Sequence, residues 1–157
     1  MGDRALREHL AAVLAWEDAH ASLDRVVDGV PLERWSATAP GLPHTLWQLL
    51  EHIRLAQHDI LDFCRNPNYA ELRWPDDYWP PAGAEPSAGD VSASIAALRE
   101  DREALAGLAL DASIDLLARI PHGSGQTCLR ELLLVVDHSS YHLGQMVAVR
   151  RALGIWG

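Results

Sequence analysis

The chain is 157 residues long, 48% hydrophobic and 22% charged, with 13 Lys+Arg against 22 Asp+Glu, a formal net charge of −9 and 8 histidines. A chain of this size buries roughly two-thirds of the surface that its unfolded form exposes, so residues 1–157 read as one domain that folds without a disulfide staple or a structural metal. The acidic balance argues against nucleic acid as a partner, because a phosphate footprint needs a clustered basic surface. Every cation is arginine, which excludes Schiff-base and P-loop lysine chemistry.

The first residues alternate charges and carry no apolar signal-peptide core. No window approaches ~20 uninterrupted apolar residues, so no membrane segment is expected. Cys64 and Cys128 lie far apart, outside any Cys-x-x-Cys pair, which fits a reduced, cytoplasmic setting. From Leu6 to Val27, apolar residues at three- and four-residue spacings predict a first helix, stopped by Asp28-Gly29 and Pro31. A loop from Pro31 to Pro43 leads into Thr45-Leu46-Trp47-Gln48, a capping-box spelling that opens a second helix running to about Arg65.

The stretch from Tyr69 to Gly89 holds Pro75, Pro80, Pro81 and Pro86 together with Tyr69, Trp74, Tyr78 and Trp79. It can be neither regular helix nor central strand. Its aromatic content predicts a crossover packed on the helices it joins. A third helix is expected from about Asp90 to Leu108, another helical turn or two between Leu110 and Ile120, and a break at Pro121 to Gly125. The fourth helix opens at Thr127 as N-cap and runs to about Leu153. The expected fold is all-α: a four-helix bundle with a long Pro/Trp-rich crossover between the second and third helices.

On the fourth helix, His138 and His142 stand at i and i+4, one turn apart on one face. Glu131, His138, His142, Gln145 and Val149 form a narrow stripe on an otherwise apolar helix. Polar groups on a buried stripe need partners, and a divalent cation satisfies two neutral imidazoles at once. Ser139 stands where a His-Glu-x-x-His protease carries its general base, so that class is not supported.

A third ligand must come from elsewhere. On the second helix His52 lies at the edge of the apolar face and His58 points the opposite way. His44 and His122 read as ordinary loop residues, and His9 and His20 are too far apart to share one ion. The most economical constellation is His52 with His138 and His142. Glu131 and Gln145 are candidates to hydrogen-bond the ligating rings or to handle protons. Asp59 reads as a solvated flank, and Tyr141 and Asp137 as packing or capping residues.

With these residues in place the sequence resembles the DinB-like (DinB/YfiT) superfamily of bacterial four-helix bundles over essentially the whole chain. The matching pieces are Leu46-Trp47-Gln48-Leu49-Leu50-Glu51-His52-Ile53, Trp74-Pro75-Asp76-Asp77-Tyr78-Trp79-Pro80, and Asp137-His138-Ser139-Ser140-Tyr141-His142-Leu143-Gly144-Gln145. The resemblance implies a divalent metal, zinc or nickel, held by the histidine triad His52, His138 and His142. It also implies a homodimer acting on a small-molecule substrate. Relatives in this superfamily include transferases and isomerases that use a low-molecular-weight thiol such as bacillithiol or mycothiol. The leading expectation is therefore a metal-dependent thiol S-transferase that passes the thiol to a small electrophile. A hydrolase using metal-bound hydroxide, and a non-catalytic dimeric stress-response or interaction module, stand as alternatives.

Overall fold

The structure is a computed structural model that describes residues 2–15 and 19–157. Its helices are α1 (Gly2–Leu14), α2 (Leu23–Val27), α3 (Leu46–Arg65), α4 (Ala88–Leu110) and α5 (Cys128–Ala152), with single 3-10 turns at Leu32–Arg34 and Asp76–Tyr78. The fold is all-α. The four long helices form the bundle, with α3 packed against both α4 and α5, and α1 against the same two from the other side. No helix among the described residues is long and apolar enough to cross a membrane.

Local chemistry sets most of the helix ends. Thr45 caps α3, accepting from the Gln48 amide at 3.2 Å while the Gln48 side chain accepts from the Thr45 amide at 2.9 Å. These bonds satisfy two of the donors that a helix start leaves unpaired. The same device opens α4 through Ser87 and Asp90, which moves its start two residues ahead of the Asp90 expected from the apolar pattern. Thr127 caps α5 as expected.

Two expectations fail. The predicted first helix from Leu6 to Val27 is broken: α1 ends at Leu14, residues 16–18 lie outside the described residues, and α2 starts anew where the Ser22 hydroxyl accepts from the Arg25 amide. A serine hydroxyl that caps a later turn competes with continuation of the helix through it. Between Leu110 and Ile120 no helix forms, and the chain makes two isolated turns in which the Ile114 and Ala118 amides donate to the Asp111 and Asp115 carbonyls. There Asp111 and Asp115 accept from the amides two residues on, at 2.8 and 2.9 Å, the side-chain turn that aspartate favours over helix.

The core forms two clusters. One gathers Leu46, Leu49, Leu50, Ile53, Leu98 and Met146 with Trp35 and Trp47, and the other gathers Leu61, Leu105, Leu116, Leu132 and Val135. Each fully buried aliphatic side chain contributes ~1.5–3 kcal/mol. The crossover joins the first cluster through Trp79 and Ala84, so it is a covering layer and not a free linker.

Two buried arginines tie off helix ends from a distance. Arg7 of α1 donates to the carbonyls of Ala109, Asp111 and Ile114 at 3.2, 2.8 and 2.7 Å, closing the end of α4. Arg150 of α5 donates to the carbonyls of Arg25, Val26, Asp28 and Ile155, closing the end of α2 and holding the C-terminal segment. An Arg150→Met substitution leaves these carbonyls unpaired. It is expected to lower stability by ~2–4 kcal/mol, read as a lower urea midpoint with unchanged slope.

Candidate metal centre

The three predicted histidines meet. His52 from α3 and His138 and His142 from α5 each offer a ring nitrogen, and these nitrogens all lie within 4.8 Å of one another. His52 is 1% exposed and His142 7%, while His138 is half-buried. The i, i+4 spacing on α5 brings two rings onto the face that packs against α3, and the α3 register brings His52 opposite them.

Hydrogen bonds fix which nitrogen two of the rings present. His52 Nδ1 donates to the Tyr78 carbonyl at 2.8 Å, and His142 Nδ1 donates to Gln145 Oε1 at 2.7 Å. Both rings therefore direct an Nε2 lone pair inward. His138 Nε2 approaches His52 Nε2 at 3.0 Å. That approach can be held by a proton between the two nitrogens or by a cation that both face. Metal–nitrogen bonds of ~2.0–2.1 Å place tetrahedral donors ~3.3 Å apart, so this donor set has the size and the chemistry to hold a divalent ion.

The surroundings keep the imidazoles neutral. Burial lowers the His52 pKa against the raising effect of its bond to Tyr78, with His44 lowering it further. Burial pushes His138 down to about 4, reinforced by His142 and His52. Burial also lowers His142, partly offset by Gln145. Neutral rings are the form that ligates a metal.

Aromatic rings wall the cluster. Trp79 lies flat on His52, centroids 3.8 Å apart and planes 4° off parallel, and His44 stacks on Trp79 at 4.5 Å. Trp74 and Tyr141, which are 70% and 64% exposed, stand beside His52 and His142. Gln145 Nε2 donates to the Tyr141 hydroxyl at 3.2 Å, extending the chain of bonds from His142 to the surface.

The other candidates divide between the cluster and the rest of the molecule. Gln145 touches the cluster, whereas the Glu131 carboxylate pairs with Arg130 at 2.6 Å and lines a separate cleft. Asp59, read as a solvated flank, accepts from the Tyr69 and Tyr78 hydroxyls at 2.9 and 2.6 Å. His20, His58 and His122 bond to Ser140, Asp101 and the Phe63 carbonyl respectively. Cys64 and Cys128, distant in sequence, pack in one cluster, where their mutual hydrogen bond and burial push the Cys64 thiol up. Trp79, the Tyr78 carbonyl and His44 were not singled out from sequence. The Trp-Pro crossover was the available signal for the first two, and nothing local marks His44.

The DinB superfamily matches residues 15–146, a span that includes all three histidines. The chain belongs to the DinB superfamily. No curated protein and no solved structure matches it. The family assignment agrees with the all-helical fold and with a histidine cluster between α3 and α5.

The depressed histidines have a thermodynamic consequence. A His138 that titrates near 4 when folded and near ~6.5 when unfolded binds fewer protons in the folded state between these values. Stability therefore rises with pH through this window and is lost as pH falls from ~6.5 towards ~4, by up to ~1.4 kcal/mol per pH unit for each fully titrating ring. Urea unfolding of chelator-treated protein across this range should show that slope, and His138→Ala should flatten it.

Proposed function

We propose that this DinB-superfamily protein holds a divalent metal ion on His52, His138 and His142, and uses it to activate a low-molecular-weight thiol for transfer to a small electrophile. The observation that carries the metal is the pairing of tautomers with burial. His52 and His142 have their Nδ1 hydrogens committed to Tyr78 and Gln145, and all three rings are held neutral by burial. A bound zinc or nickel ion is a Lewis acid, beside which a thiol loses its proton at neutral pH.

The chain's own residues prepare for this chemistry in three ways. Tyr78 and Gln145 orient the ligating rings, the kind of supporting contact whose loss typically weakens metal binding by ~10–100-fold. Trp79 closes one face of His52 and keeps water from it. Trp74 and Tyr141 give the solvent side an aromatic border, a surface to which polarizable sulfur and apolar electrophiles adhere. The choice of a thiol follows the resemblance to thiol-dependent members of the superfamily, which also extends the reading to a cytoplasmic homodimer.

Elemental analysis of protein purified without an affinity tag should find close to one equivalent of zinc or nickel per chain, and none in a His138→Ala/His142→Ala variant. Equal metal in both, or none in either, would overturn the metal centre. Metal-loaded protein should then conjugate a chloronitroarene in the presence of bacillithiol or mycothiol. Turnover of a nitrophenyl ester without any thiol would instead mark a hydrolase, and neither activity a binding module. Gln145→Leu should keep the fold by circular dichroism while weakening metal affinity ~10–100-fold, measured by chelator competition.

A further inference from the structure

A second cavity, separate from the histidine cluster, opens between the C-terminal half of α3, the first two turns of α5 and the crossover. It is an open cleft of about 500 Å³, within the size range of small-molecule sites. Its lining carries three carboxylates, Asp59, Glu71 and Glu131, against one guanidinium, Arg130. A concave surface with this imbalance concentrates positively charged solutes.

Glu131 gives the cleft its sharpest demand. Its side chain is only 4% exposed. Among the described residues, the one hydrogen bond it receives comes to Oε1 from Arg130, a side chain that is itself largely solvated. Oε2 is left without a donor. Only Ser139 Oγ is a fully enclosed side-chain polar atom without a partner among the described residues, so Oε2 opens to the cleft it lines; a cationic donor there makes a stronger, charge-assisted bond than water does.

The rest of the wall is aromatic. Phe63, Tyr69 and His122 form one cluster with ring centroids 5.1 to 6.0 Å apart. Tyr69 and Tyr78 turn their hydroxyls onto Asp59, where burial and that carboxylate push both phenols up, so they stay protonated donors. Rings of this kind attract an organic cation over their faces. A single metal ion does not suit the cleft: among the described residues the three histidines are the only group of three or more ligands gathered closely enough to hold one ion.

We infer that this cleft is a second binding site, for a small organic cation: an ammonium or guanidinium group attached to an apolar body. The charged end meets Glu131 Oε2 and the apolar body lies against the Phe63 and Tyr69 rings. The inference does not depend on the metal proposal, because neither Glu131 nor Asp59 contacts the histidine cluster.

The test is titration of the full chain with phenethylammonium, and separately with phenylethanol as the neutral counterpart of the same shape, followed by NMR amide shifts. The ammonium should bind at least about tenfold more tightly than the alcohol, with shifts centred on residues 59–63 and 128–134. Glu131→Gln and Asp59→Asn should each weaken it about tenfold. His138→Ala should leave its affinity within about twofold, since that residue belongs to the other site. Equal affinity for the alcohol, no binding of the ammonium, shifts centred on the histidines, or loss of binding in His138→Ala would each overturn the inference. Should Glu131→Gln fail to fold, the ammonium-to-alcohol ratio in the parent and the Asp59→Asn variant still decide it.

Discussion

The hydrogen bond from His52 Nδ1 to the Tyr78 carbonyl joins the regular and irregular parts of the molecule. It takes one nitrogen of a buried ring, so the other must face α5 and the two histidines there. It also pins the crossover at the residue before Trp79, which lays the indole flat on the imidazole and sandwiches it against His44. From the same residue the Tyr78 side chain reaches Asp59. Because the partner of His52 is a main-chain atom, its tautomer is set by the fold itself and is not exposed to the rotamer choice of a neighbouring side chain.

This arrangement explains how an acidic protein maintains an uncharged centre. Among the described residues the carboxylates are spread over helix caps, surface pairs and the second cleft, and none hydrogen-bonds to the three imidazoles. Burial dominates each ring's titration. An adjacent carboxylate would have favoured the imidazolium and worked against ligation. The polar stripe of α5 is thus divided along its length, with Glu131 serving the cleft and His138, His142 and Gln145 serving the cluster.

What could be read from the sequence follows the range of the forces involved. The Thr45 capping box, the His138–His142 spacing and the Pro-rich crossover are local patterns, and each stands where the periodicity placed it. Ser87 and Asp90 carried an equally local signal for the start of α4, obscured by a glycine at position 89 that looks like loop. The break before α2 and the isolated turns after Leu110 depend on hydroxyl and carboxylate side chains bonding nearby amides, an outcome that apolar spacing does not register. Asp59 was misjudged, and the stacking of the loop residue His44 on Trp79 was missed, for another reason. Their partners Tyr69, Tyr78 and Trp79 arrive on the crossover, and no periodicity on a helix encodes what an irregular segment will lay against it.

The two arginines that close helix ends have a bearing on how the molecule responds to its surroundings. A guanidinium keeps its charge at any pH that a folded protein tolerates, so the ties from Arg7 and Arg150 hold while the histidine cluster gains or loses protons. Scaffold and centre therefore answer to different variables. Acid can protonate the imidazoles, at the cost in stability that their burial imposes, without discharging the ties that fasten the ends of α2 and α4.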